Sequence, residues 1–425
     1  MNKKDLLENN KAFCILPWIH MHVWPNGNAM PCCIADSNTP FGNVKKSSIE
    51  EVWNSEDYKN LRKAMLNGEK LPVCRRCYEL EDSTYIWTLR KNHNQWFGEN
   101  HFDLVEKTNA DGSINDYRMA YLDIRFSNIC NMKCRSCGPE LSSQHAKEFK
   151  ELYGTHELAR MLQNDGKIVV NIANEQNFWQ NLEKYLLDVE EVYWAGGEAL
   201  ITDEHYKILD YWIENNHNVR LRYTTNFSNF KYKQKSILDY WKEFDDIQVS
   251  ASLDCNGSRA EYSRHGTVWK TIEKNRLEML EAVPHVHFEL TPTISLYNVW
   301  NWPDFHMDWT ERGLVDIQNC RLNMLTDPDF MRIDNIPEDF KIELRSKYID
   351  YKAWAYEKIK YLPNNENVIK DVIGKIDSVI QFMNTGNLNT EKLKQFFENN
   401  HHLDQYRKED FWQVFPELDW MRKYV

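Results

Sequence analysis

The chain has 425 residues, 42% hydrophobic and 27% charged, with 10 cysteines and 16 tryptophans. That is too long for one small core and enough for two or three domains. With 52 Lys and Arg against 64 Asp and Glu, a formal charge of -12 and no basic run, nucleic acid is disfavoured as a partner. No stretch has the apolar length of a signal peptide or of a membrane span, about 18 residues, so the expectation is a cytoplasmic protein with no membrane segment.

The first segment, residues 1–80, opens with "CILPWIHMHVWPNGNAMPCC". Alternation around Ile19, Met21 and Val23 predicts a strand, and Asn26-Gly27 a hairpin turn. "SIEE" from Ser48 has the pattern of a capping box with Glu51, so a helix runs from there to Gly68 with a break near Asn54-Ser55. His20 and His22 form a pair that is expected to be solvated or to pack at an interface, and His401-His402 is expected at the surface. Residues 81–117 read as a mixed connector.

From residue 118 strands and helices alternate. The predicted strands are Met119–Phe126, Glu191–Trp194, Val219–Tyr223, Ile247–Ser252, Val286–Thr293 and Val315–Gln318. The predicted helices between them are Glu175–Glu190, Glu204–Asn215, Lys235–Phe244 and Thr267–Val283. Six such repeats predict a parallel sheet, as an open wound sheet or a partial barrel, over residues 118–330. Residues 331–425 read as a helical C-terminal extension, with helices near 338–362, 368–383 and 390–399.

In parallel α/β architectures chemistry gathers at the carboxyl ends of the strands. There the chain places Cys130-x3-Cys134-x2-Cys137, then "WAGGEAL" with Gly196, Gly197 and Glu198, then Asn226. Ser252, Asp254 and Cys255 follow in "SLDC", and Asn298 ends "TPTISLYN". Clustered cysteines in a reducing compartment favour metal ligation over disulfides. Three thiolates leave a fourth position to be filled. On the residues alone, a zinc site borrowing a distant ligand remains open for the triad. So do a helix cap for Glu198, ordinary loop roles for Asn226, Ser252 and Asn298, and a surface ion pair for Arg264.

This constellation, over about residues 118–325, resembles the radical S-adenosylmethionine (SAM) enzymes. The resemblance implies a partial (β/α)6 TIM-like barrel, with Cys130, Cys134 and Cys137 holding a [4Fe-4S] cluster whose open iron takes SAM. Cleavage of SAM then gives methionine and a 5′-deoxyadenosyl radical. It also implies SAM contacts from Gly196, Gly197, Glu198, Asn226, Ser252, Asp254, Arg264 and Asn298. Ser136 departs from the aromatic residue often found before the last cysteine. Cys255, next to Asp254, is a candidate hydrogen-atom donor, against the plainer reading of a small buried residue.

Cys14, Cys32, Cys74 and Cys77, with Gly27-x4-Cys32, make the N-terminal α+β module similar to the auxiliary-cluster modules called SPASM and twitch domains, although those normally follow the barrel. A second, fully protein-ligated [4Fe-4S] cluster is implied there, with a four-cysteine zinc ribbon as the rival and Cys33 as an alternative to Cys32. Such modules imply a peptide or protein substrate, modified by crosslinking, thioether formation, epimerisation or oxidation, and an electron donor such as flavodoxin or ferredoxin. The alternatives are radical chemistry on a small molecule such as a sugar or nucleotide, and a non-catalytic Fe–S electron-transfer protein.

Overall fold

The capping box read at Ser48 forms: its hydroxyl accepts from the Glu51 amide and the Glu51 carboxylate accepts from the Ser48 amide. Helix Ile49–Trp53 then ends at Asn54, and Ser55 caps a new helix, Glu56–Leu66, at the expected break. The strand read around Ile19 is largely replaced by a helical turn, Leu16–Ile19. Pro17 explains the difference, since its fixed φ and missing N–H suit a first helical turn.

The computed structural model describes residues 2–36, 38–82, 88–363 and 365–424; positions 83–87 of the expected connector lie outside them. The protein is a mixed α/β fold with a large parallel sheet. It divides into two compact units, one made of Met1–Cys130, Pro139–Arg222 and Glu243–Asp246, the other of Asn131–Gly138, Tyr223–Lys242 and Ile247–Val425. Among the described residues no helix is long and apolar enough to cross a membrane.

The first unit takes β1 (His22–Val23), β2 (Asn28–Met30), β3 (Gly42–Asn43) and β4 (Tyr121–Ile124). After β5 (Lys133–Cys134), which belongs to the second unit, it adds β6 (Glu191–Trp194). β1 and β2 are the predicted hairpin, in antiparallel register Val23↔Ala29 across a turn with Gly27 at φ +88°. β1 also lies parallel to β4, with His22 opposite Asp123, and β4 lies parallel to β6. The N-terminal cysteine segment therefore extends the sheet instead of standing apart from β4. The helix read over Glu175–Glu190 is only Phe178–Glu183, because Asn177 at φ +67° starts it late. Helices Ser143–Tyr153 and Thr155–Leu162, which pattern reading missed, pack Ala146, Leu158 and Leu162 together.

β7 (Arg220–Thr225) carries the chain into the second unit, where β8 (Lys231–Tyr232) and β9 (Lys235–Ser236) form a small hairpin. β10 (Ile247–Ala251) precedes β11 (Arg264–His265), which pairs with β5. β12 (His287–Leu290) lies parallel to β10, and β13 (Thr293–Ile294) lies parallel to β14 (Asn323–Met324). Val315–Gln318 is not a strand. Asn319 donates to the Asp316 carbonyl in a turn, and pairing begins only with the bridge Leu290↔Cys320. The C-terminal helices are Glu338–Ile359, Asn365–Met383 and Thr390–Arg407, the last eight residues longer than expected.

His306 is fully buried, with Nδ1 2.6 Å from the Tyr351 hydroxyl and its ring stacked on Trp302. Burial lowers its pKa to about 3, against about 6.5 in an unfolded chain. Between those values the unfolded chain binds the extra proton, so stability falls as pH drops from 7 towards 3. Buried His20 and His93, lowered to about 3 and about 4 by desolvation, act in the same direction. Between pH 7 and 5, His306 alone accounts for a loss of about 2 kcal/mol. Urea unfolding of His306→Asn should show a pH 7-to-5 decrement smaller than wild type by about that amount; an equal decrement would mean that the imidazole titrates normally.

Candidate cofactor sites

Helix Leu16–Ile19, the end of β2 and the turn Pro72–Cys74 bring four thiols to one place. Cys14, Cys32, Cys74 and Cys77 line a single cavity together with Leu16, Ile34, Met65, Val73 and Leu89. Burial pushes the thiol pKa up at all four, to about 12 for Cys74. Without a cation these sulfurs hold their protons at neutral pH. Arg90 also borders the cavity, its guanidinium held by Glu81 and by the Phe13 carbonyl at 2.8 Å, and its charge favours the thiolates of Cys14 and Cys77. Cys33 does not line the cavity; it is half-buried, and desolvation and nearby Asp123 raise its pKa. Among the described residues, no three His, Cys, Asp or Glu side chains are grouped as a single-ion site.

His20 and His22 are buried against β4, with His20 Nδ1 3.0 Å from the Tyr121 carbonyl and His22 Nδ1 3.1 Å from an Asp123 carboxylate oxygen. The other Asp123 oxygen lies 2.9 Å from Arg125 Nε. Burial alone would raise the Asp123 pKa, yet Arg125 and His22 outweigh it and hold the carboxyl far below its usual range.

Further along the first unit, the backbone of "AGGE" lies against the chain just before Cys130. The Glu198 amide donates to the Ile129 carbonyl at 2.7 Å. A Cβ on Gly197 would stand 2.2 Å from that same oxygen, and Gly196, at φ +107°, lies over the Arg125 side chain. Both positions need glycine, one for close approach and one for conformation. Glu198 is buried, and one of its oxygens accepts from the Leu200 amide at 3.1 Å, so it does cap the short helix that follows. The Cys130 amide donates to Ser143 Oγ at 3.3 Å.

In the second unit the cysteine loop forms β5 opposite β11, in register Cys134↔Arg264, and the Cys137 amide closes a turn on the Cys134 carbonyl. Arg264 makes a two-pronged pair with Asp254, at 2.7 and 3.1 Å, and its Nη1 lies 3.8 Å from Cys134 Sγ. Burial raises the Cys134 pKa, while Arg264 and Arg407 oppose it. Asn226 donates to the Asn131 side chain at 2.8 Å, directly after Cys130. Asn298 is buried and engaged in its loop: it accepts from the Ser295 amide and donates to the Asp254 and Thr293 carbonyls. Ser252 is half-buried, its amide bonded to the Thr225 carbonyl. Cys255 is buried, Sγ 3.6 Å from Ser263 Oγ, with its pKa raised to about 12 by burial.

Residues 14–78 match the SPASM family, an iron–sulfur cluster-binding domain. The N-terminal module thus resembles a SPASM domain over nearly the whole of the segment read from the sequence. No curated protein matches the chain. Among solved structures it is similar to Streptococcus suis SuiB bound to S-adenosylmethionine, at 14% identity and TM-score 0.34, covering 70% of this chain. It is also similar to SuiB bound to the precursor peptide SuiA, at 16% identity, TM-score 0.34 and 72% coverage. In both cases the match spans 62% of the other chain.

Sequence reading passed over Arg90, Arg125, Asn131 and Arg135, which hold the cysteine segments through side-chain contacts. A lone polar residue beside a cysteine gives no sign of a distant partner. The close approach at Gly197 is testable against Gly374, a helical glycine where a Cβ would meet nothing within 4 Å. Gly374→Ala should raise stability by about 0.5–1 kcal/mol, and Gly197→Ala should lower the melting temperature. Equal behaviour of the two variants would remove the constraint placed on the Ile129–Cys130 backbone.

Proposed function

We propose that the protein is a radical SAM enzyme in which Cys130, Cys134 and Cys137 hold a [4Fe-4S] cluster and SAM takes the position they leave open. The observation that carries this is the fit of Gly197 and Glu198 against the Ile129 carbonyl, which ties the glycine loop to the chain entering the cysteine triad. When bound, such a cluster supplies the electron that reductively cleaves SAM. The core over 118–330 is then a partial (β/α)6 barrel, preceded by the module 1–80 and the connector 81–117 and followed by the helical extension 331–425.

The chain's own residues suit these roles. Backbone at Gly196 and Gly197 approaches the SAM amino group without steric cost, and Glu198 accepts from the ammonium. Ser252 and Asp254 would serve the ribose, and Asn298 would act through Asp254, whose carbonyl it holds. Arg264, anchored by Asp254, presents a guanidinium for the SAM carboxylate. Asn226 steadies the loop through Asn131. Cys14, Cys32, Cys74 and Cys77 hold a second cluster: four thiols around one cavity suit a polynuclear centre, and the match to a cluster-binding domain supports it. A SPASM-type module favours a peptide or protein as substrate.

Anaerobically reconstituted protein given dithionite and SAM should release 5′-deoxyadenosine slowly even without substrate. The triple alanine variant of Cys130, Cys134 and Cys137 should release none and keep about half of the roughly eight irons expected for two clusters. Glu198→Gln should weaken SAM binding by about 1–3 kcal/mol. Cleavage that survives in the triple variant would refute the assignment; stoichiometric zinc without sulfide would turn the N-terminal module into a ribbon. Within that module, Cys32→Ala should lose iron and Cys33→Ala should keep it, and the reverse would exchange the ligands.

Cys255 tests the hydrogen-atom donor role. If it donates to a substrate radical, Cys255→Ala should abolish incorporation of solvent deuterium into product. Unchanged incorporation would leave the thiol as a buried packing group against Ser263.

A further inference from the structure

Arg135 lies inside the cysteine loop, one residue after Cys134, and its side chain is completely buried. Its two terminal nitrogens donate to residues 400–409. Nη1 donates to Asn400 Oδ1 at 2.8 Å, and Nη2 to Asp404 Oδ1 at 2.5 Å and to Glu409 Oε2 at 2.6 Å. Nε reaches the Tyr262 carbonyl at 3.3 Å, and the guanidinium lies 3.7 Å over the Tyr262 ring. The partners are themselves tied together. The Tyr262 hydroxyl donates to Asp404 at 2.8 Å, the Tyr297 hydroxyl to Asn400 at 2.8 Å, and the Phe411 amide to the second Asp404 oxygen at 2.8 Å. Glu409 also meets His265 Nδ1 at 2.6 Å, and His265 pairs with Lys133 in the ladder that carries Cys134.

The backbone of the loop is held by one turn bond and by the short β5–β11 pairing, and Arg135 gives it a fully buried side-chain anchor. A buried guanidinium is strongly destabilising unless its planar fork is fully paired. The pairing groups come from helix Thr390–Arg407 and the two residues after it. We propose that Asn400–Glu409 is a clasp for the cysteine loop and that Arg135 is the positioning residue through which it sets Cys134 and Cys137 for cluster binding. The clasp is a statement about the loop; that the loop holds the SAM-responsive cluster rests on the function proposed above.

The test compares full-length wild type with Asp404→Asn/Glu409→Gln, which keeps shape and removes both carboxylate charges. In the metal-free chains, hydrogen exchange of residues 131–138 is followed by mass spectrometry. In the reconstituted chains, iron loss to a chelator and the EPR signal perturbed by SAM are followed, with the four-cysteine cluster as internal reference. The expected result is at least tenfold faster exchange in 131–138 and at least tenfold faster loss of the SAM-responsive signal, with the reference iron unaffected. Exchange and loss rates equal to wild type would overturn the clasp. If exchange rises while wild type itself shows no SAM-perturbed signal, the clasp stands and the radical SAM reading fails. If the double variant loses protection throughout the chain, Glu409→Gln alone, which leaves Asn400 and Asp404 in place, decides by the same measurements.

Discussion

The Asp123 carboxylate is the contact on which the first unit depends. It is fully buried, and a buried charge costs several kcal/mol unless it is paired and hydrogen-bonded. Its two oxygens are shared between His22 on β1 and Arg125, one residue beyond β4. That pairing fixes β1 beside β4 in one register, since a shift by one residue would turn His22 to the other face and strand the charge. The hairpin that delivers Cys32 is thereby set relative to the strand that delivers Cys130. A Cβ on Gly196 would stand 3.1 Å from the Arg125 side chain, so the same arginine also borders the glycine loop.

The two cysteine sets are prepared in different ways. The four thiols of the N-terminal module sit in a cavity walled mainly by apolar side chains, with the Arg90 guanidinium at its edge. In the loop beyond Cys130, Cys134 has two arginines near its sulfur, Arg264 and Arg407, and a third, Arg135, adjacent in the chain. An apolar enclosure raises the cost of thiolate charge until a metal centre balances it, whereas fixed guanidinium charge lowers that cost beforehand.

Local signals were legible in the sequence because their causes are local. The capping box at Ser48, the break at Asn54, the Gly27 hairpin and strand β6 all appear where pattern reading puts them. Of the two adjacent cysteines, Cys32 lines the cavity and Cys33 does not. What was not legible depends on tertiary pairing. Pro17 diverted a short alternating run into a helical turn, and Asp316 closed a turn where a strand was expected. Helix Thr390–Arg407 runs eight residues past its expected end, and Asn400 and Asp404, which serve Arg135, lie in that added length. The glycines of "AGGE" were legible as glycines, but the carbonyl that demands one of them is Ile129, some seventy residues away.

The choice of arginine around the cysteine loop has a physical consequence. A lysine offers a point charge whose pKa falls on burial, so beside a buried sulfur it would lose its proton and its value. Arginine stays charged, and its planar fork can bond two groups at fixed angles. Arg264 uses that fork to hold Asp254 while reaching Cys134, and Arg135 uses it to join Asn400, Asp404 and Glu409. Each is a charge the fold would be more stable without if only packing mattered, because well-packed apolar groups often match or exceed a buried ion pair. What such pairs supply instead is direction. The segment Asn131–Gly138 is short, and these two arginines are where the rest of its unit takes hold of it.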